Sequence, residues 1–317
     1  NTTAAVKPVN VVLTATNSFG CAATPVSHNF DVQPEIKAQF SLSNATGCAP
    51  FTFDVDAPPT SGTYSWDIKR GTNAFFTGTG NSHSIDVTEN KTGNTESYFI
   101  TLTASNGTCT DVSAKKVVLA YPEVEAKWSL PDDIPSGCSP YTLTGTNQST
   151  LYNKATVLTN VLWEITDGAT YNTSAITQSV TRNLVNDGYQ LPKPYTVTLT
   201  ATSADGCVAT KTSTFNVNPP VVAAFNAEVI NECTPLQIRF TDASNVKTGT
   251  AYVWNWDGGV DASAPVGENY VKQYDNANPE TATNKTVTLS LTNSYGCSGN
   301  ASYSFQVNPR VVAGLSL

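Results

Sequence analysis

The side chains best suited to chemistry in this 317-residue chain are seven cysteines, two histidines and a scatter of carboxylates. The cysteines fall into two families. Cys21, Cys109, Cys207 and Cys297 each follow a turn containing Gly, at steps of 88, 98 and 90 residues. Cys48, Cys138 and Cys233 each stand two residues before a proline (Pro50, Pro140, Pro235), at steps of 90 and 95. No Cys-x-x-Cys occurs, so a zinc site is not expected, and seven cysteines in a repetitive, threonine-rich chain point to disulfides in an oxidising exterior. His28 precedes a terminal strand and His83 sits in a Ser/Gly-rich loop, which supplies a His-based triad or metal site poorly.

Paired carboxylates occur at Asp132-Asp133 and at Asp257 with Asp261. A glycosidase needs two carboxyl groups at fixed separation in a cleft, and these pairs do not recur along the chain. Asp167 and Asp257, each followed by Gly, lie in turns, where oxygen ligands suit calcium. No strict Asp-x-Asp-x-Asp loop is present, so no cofactor is expected and calcium is the one candidate cation. Eight Asn-x-Ser/Thr sites (Asn1, Asn44, Asn90, Asn106, Asn147, Asn172, Asn284, Asn300) matter only in a source that glycosylates them.

The elements that carry the cysteines are repeated. Val9–Cys21, Tyr98–Cys109, Tyr195–Cys207 and Thr286–Cys297 share one strand-plus-turn pattern, and two independent markers agree on a unit of about 90–95 residues. Thr196-Val-Thr-Leu-Thr200 alternates polar and apolar residues with period two, as a half-buried strand does. Turn residues then lead into a second strand, giving a hairpin. No segment has helical spacing. Each unit ends in proline (Pro34, Pro122, Pro219, Pro309), which terminates a strand and stiffens the junction. The expected organisation is the closing third of a unit at 1–34, whole units at 35–122, 123–219 and 220–309, and the first strand of another at 310–317. A partial unit exposes strand edges and half a core, so the ordered piece is expected to continue in both directions or to be completed by a neighbouring chain. Linkers of one or two residues predict a semi-rigid rod.

Several short strands within each unit predict an all-β sandwich. Trp66, Trp163 and Trp254 share one repeat position, with Trp256 two residues further on. Trp128 replaces Phe40 and Phe225 at another. Every tryptophan thus has a large apolar counterpart in sister units, which assigns them to the core; sugar stacking would need exposed rings.

Composition narrows the function. A net charge of −8 and a pI near 4.7 disfavour a phosphate backbone as partner. No run of about 18 apolar residues spans a membrane. No signal-peptide pattern is present, and Met is absent, as in a processed or internal piece of a longer chain.

These residues resemble the polycystic-kidney-disease (PKD) repeat, an immunoglobulin-like sandwich marked by a Trp strand running into Gly-Asp-Gly and then Tyr-x-Val-x-Leu-x-Val/Ala-x-Asn. The second motif is matched at 98–106, 195–200 and 286–293. The first is matched in part: Trp163-Glu-Ile-Thr-Asp167-Gly168 and Trp254-Asn-Trp-Asp257-Gly258 keep Asp-Gly, whereas Trp66-Asp-Ile-Lys-Arg-Gly71 does not. The added cysteine markers resemble PKD-like arrays in very large secreted surface proteins and gliding adhesins of Bacteroidota. The resemblance covers the whole chain and implies tandem sandwiches set head to tail, working as an extracellular spacer or adhesive stalk without catalysis. Its partners would be further repeats of the same chain, neighbouring identical chains, or a surface glycan or protein. The enlarged loop 147–160 and the long loop 71–97 are the segments suited to binding, and an accessory region of a secreted hydrolase is a further reading.

Two disulfide schemes remain. One joins the markers within a unit: Cys48–Cys109, Cys138–Cys207 and Cys233–Cys297. In an immunoglobulin-like fold, however, the first marker's A–B turn and the second marker's F–G turn lie at opposite ends, separated by a strand of roughly 23 Å, while a disulfide needs Cα atoms within about 7 Å. The other scheme, which this geometry favours, is staggered: Cys48–Cys207 and Cys138–Cys297, with Cys21 and Cys109 pairing upstream and Cys233 downstream.

Overall fold

The computed structural model describes residues 1–3, 5–59, 62–130, 136–152, 154, 158–167, 170–173, 179–188, 191–245, 251–255, 260–261, 269–278 and 280–311. Among these every regular element is a strand. The chain opens with a hairpin of β1 (Lys7–Leu13) and β2 (Val26–Val32), paired antiparallel from Lys7↔Val32 to Leu13↔Val26.

The first full sandwich has nine strands. They are β3 (Ser41–Leu42), β4 (Thr46–Cys48), β5 (Phe51–Asp56), β6 (Thr63–Arg70), β7 (Asn73–Thr79), β8 (Ser82–Val87), β9 (Glu96–Ser105), β10 (Thr110–Val112) and β11 (Lys116–Tyr121). One sheet runs β3-β5-β8, the other β4-β11-β9-β6-β7 with β10 on β9. In immunoglobulin lettering these are A-B-E and A′-G-F-C-C′, a Greek-key sandwich that carries C′ on the F–C–G sheet. The alternation of β9 is explicit in its burial: Tyr98, Ile100, Leu102 and Ala104 are buried while their neighbours are half-exposed. They pack with Phe53, Val55, Trp66, Ile68, Ile85 and Val87 from both sheets into one core.

The second sandwich repeats the plan with β12 (Val124–Glu125), β13 (Gly137–Cys138), β14 (Tyr141–Thr146), β15 (Thr150–Leu151), β16 (Leu158–Ile165), β17 (Thr170–Thr173), β18 (Ser179–Leu184), β19 (Lys193–Ser203) and β20 (Val208–Asn218). Its larger sheet is β13-β20-β19-β16-β17, facing β14-β18. The third has β21 (Phe225–Asn231), β22 (Leu236–Asp242), β23 (Ala251–Asn255), β24 (Val260–Asp261), β25 (Asn269–Tyr274), β26 (Thr283–Thr292) and β27 (Ser298–Val307), in sheets β21-β22-β25 and β24-β23-β26-β27. Each sandwich has a core cluster of its own.

The assigned core positions fall as follows. Phe40 meets Trp66 edge-to-face at 5.2 Å. Trp128 and Trp163 stack at 5.7 Å with 11° between their planes. Phe225 is half-buried and packs edge-to-face on Phe240. Trp66 and Trp163 are 1% and 0% exposed. The Trp66 indole N–H donates to the Gly80 carbonyl at 2.8 Å. The backbone of Trp254 pairs with Leu289 and Asp261, and Trp256 lies outside the described residues.

Two expectations need correction. The segment 71–97, expected to be a long loop, contains β7 and β8 and so completes both sheets. The first cysteine marker, placed in a plain A–B turn, ends a short A′ strand that pairs parallel with the last strand of its unit: Tyr121↔Cys48 and Asn218↔Cys138. In the segment 310–317, residues 310 and 311 form no strand and the others are not described.

Candidate functional site: the junctions between units

Local chemistry explains each cysteine's position. In the first marker, Gly47 and Gly137 are fixed by close approach. A Cβ at Gly47 would lie 2.3 Å from the Phe51 ring, and one at Gly137 would lie 2.0 Å from the Tyr141 ring. The third unit has Leu236 where the others have an aromatic ring, and there Glu232 stands in place of the glycine. In the second marker, Gly206 and Gly296 adopt φ of 82° and 80° with open space around them, so it is the left-handed backbone that calls for glycine. The cysteine N–H after the turn is held by a side-chain oxygen: Asn293 Oδ1 accepts from Cys297 at 2.9 Å, Asn106 Oδ1 from Cys109 at 2.8 Å, and Ser203 Oγ from Cys207 at 3.1 Å.

A second layer positions the first marker. Three buried asparagines recur in the E–F connections. Asn90 Nδ2 donates to Asn94 O and Ala120 O, Asn186 Nδ2 to Leu191 O and Val217 O, and Asn276 Nδ2 to Thr281 O and Val307 O. Ala120 and Val217 are the register partners of Gly47 and Gly137. The asparagine therefore braces the end of the last strand against which the cysteine strand lies. Sequence reasoning missed these residues. Their signal is a recurrence 30 or 31 positions before the braced carbonyl.

At the end of one unit and the start of the next, these parts meet. Cys48 bonds Cys207 with Cα atoms 5.5 Å apart, and Cys138 bonds Cys297 at 5.6 Å, each across 159 positions. Cys207 and Cys297 are buried, and Cys48 and Tyr121 pack against the core of the following unit. Hydrogen bonds also cross the boundaries between units, including the one after Pro34. Asn90 N donates to Glu123 Oε1 at 3.1 Å while Glu123 N returns a bond to Asn90 O at 3.0 Å. Asn106 Nδ2 reaches Pro34 O and Asn293 Nδ2 reaches Pro219 O, both at 3.2 Å. Cys21, Cys109 and Cys233 are free thiols, Cys109 half-buried and the other two exposed.

Elsewhere the reactive types are dispersed. Asp167 pairs with Arg182 at 2.8 Å. His83 Nε2 lies 3.0 Å from Thr79 O, beside Trp66 and Phe76, and His28 packs on Phe30. Asp132, Asp133 and Asp257 lie outside the described residues. Among the described residues no cluster of three or more His, Cys, Asp or Glu could hold a metal. A groove of about 740 Å³ runs between residues 35–40 and 110–116 in the first full sandwich and is bordered by Glu35, Lys37, Asp111 and Lys116.

The strand order thus defines a tandem array of immunoglobulin-like sandwiches. No protein-family model and no curated protein matches the chain. Solved structures of similar architecture include the ICAM-5 D1–D4 ectodomain fragment, 9% identical with a TM-score of 0.47 over 95% of this chain and 83% of that one. The titin I-band fragment I67–I69 is 13% identical with a TM-score of 0.38, over 83% and 96%. A Ca2+-stabilized adhesin of an Antarctic ice-binding bacterium is 13% identical with a TM-score of 0.29, over 94% and 80%.

Proposed function

We propose that this chain is a non-catalytic, tension-bearing stalk segment of a large extracellular surface adhesin built from PKD-type repeats. The observation that carries this reading is the pair of disulfides joining successive sandwiches, Cys48–Cys207 and Cys138–Cys297. Each unit already has a core, so these bonds add little that a single unit needs in order to fold; their placement restrains one unit against the next. Disulfides persist outside the reducing cytosol, which supports display at the cell surface. The outer sheet faces carry threonine and serine pairs such as Thr196–Thr214, Thr198–Thr212 and Thr286–Ser304, a hydroxyl-covered surface with few charges that resists nonspecific association. Further repeats, in the same chain or in a neighbouring one, are the partners of the free cysteines Cys21, Cys109 and Cys233.

A second reading, binding of a surface glycan or protein, is favoured by the groove between residues 35–40 and 110–116. Antibody against this segment, applied to intact source cells and followed by electron microscopy, tests the main reading. Labelled filaments on the cell exterior are expected. Labelling only after lysis, with all seven cysteines reduced, would overturn it.

A further inference from the structure

The two bridges overlap in sequence, and the overlap changes how the chain carries force. Cys48 and Cys207 form one covalent knot, Cys138 and Cys297 a second. Three stretches of backbone run between the same two knots: from Cys48 to Cys138, from Cys138 back to Cys207, and from Cys207 to Cys297. The middle stretch, 69 positions long, is the shortest, the outer two being 90 each. We infer that the staggered pairing makes this part of the chain a three-stranded covalent cable whose extension is capped by the middle stretch. This deepens the stalk reading but depends only on bond connectivity, wherever the chain is displayed.

The consequences follow from path length. Pulled from its ends, the oxidised chain extends along 1–48, crosses the first knot, runs along the middle stretch, crosses the second knot and leaves along 297–317. The 90-residue outer stretches stay slack even when every unit has unfolded. A backbone break in any one stretch leaves two intact routes between the knots, and breaks in two stretches leave one. In-unit pairing has neither property, because its bridges lie in series and a cut at any linker severs the rod.

The bridges are also non-additive. With the Cys48–Cys207 bridge removed, the Cys138–Cys297 bridge still spans 159 positions, so the extended path grows by only 21 residues. Removing the second bridge as well releases the remaining 159. At about 3.5 Å per extended residue these are steps of about 75 Å and about 560 Å.

Single-molecule stretching of the 317-residue chain, tethered at both ends, tests this with Cys48→Ser/Cys207→Ser and with the further changes Cys138→Ser/Cys297→Ser. The proposal expects the small step for the first pair and the large step for the second. A first step of about 455 Å, which in-unit bridges would release, would overturn it. A second measurement does not need the variants to fold. A specific protease site inserted after the exposed Ala114, between Cys109 and Cys138 in the otherwise unchanged chain, once cut, should leave one species on a non-reducing gel and two after thiol treatment, whereas in-unit bridges would let the two pieces part without thiol. Separation without thiol would refute the cable. Neither readout involves a cell surface, so failure of the adhesin assignment would leave this result standing.

Discussion

The amide nitrogen of Asn186 sits 2.9 Å from the Val217 carbonyl and 2.8 Å from that of Leu191, in a position 3% exposed. One buried side chain thus ties the E–F connection to the last strand of its unit beside the Cys138 strand. Substitution by alanine leaves two carbonyls without donors, at about 1–3 kcal/mol each. Asn186→Ala should lower the denaturant midpoint of the second sandwich by at least about 2 kcal/mol in free energy, and Asn90→Ala and Asn276→Ala should do the same to their own units. Unchanged midpoints in urea titration would count against the brace.

The pairing of Gly137 with Tyr141 yields a rescue experiment. Gly137→Ala forces a methyl group into the ring and should cost about 1–3 kcal/mol. Gly137→Ala/Tyr141→Leu reproduces the small-ring-free arrangement around Glu232 and Leu236 and should recover much of that loss. If the double variant is less stable than Gly137→Ala alone, the close contact is not what holds glycine there.

Burial sorts the glycosylation sequences. Asn90 is 0% and Asn147 4% exposed, and the Asn90 amide is committed to two carbonyls. Asn44 and Asn300 are exposed. Secreted from a glycosylating host, the folded chain should carry glycan at Asn44 or Asn300 and none at Asn90 or Asn147, as read by glycopeptide mass spectrometry.

Burial also raises the Tyr64 and Tyr98 phenols above their ordinary 10.0. The neutral phenol is favoured in the folded state, so this stabilisation is full below about pH 10 and is lost as pH rises through the folded values. Stability of the first sandwich should therefore hold from neutral pH to about 10 and fall above it, with Tyr98→Phe blunting the fall. A decline that begins near pH 8 in a urea series would contradict this.

The all-β class and the central F strands were legible because they alternate strictly: Thr196 to Thr200 writes its inner and outer faces residue by residue, and Val197 and Leu199 are fully buried. The staggered disulfide scheme could be argued from which turns lie at which end of a sandwich. The C′ and E strands of the first sandwich are not legible in the sequence alone, since their order comes from pairing with β6 and β5. The braces Asn90, Asn186 and Asn276 were hidden for a different reason. A chain with 29 asparagines gives no compositional hint of which three turn inward.

Disulfide mapping of the native, unreduced chain by peptide mass spectrometry tests the central claim most directly. The account predicts cross-linked peptides containing Cys48 with Cys207 and Cys138 with Cys297. A peptide joining Cys138 to Cys207 would contradict it.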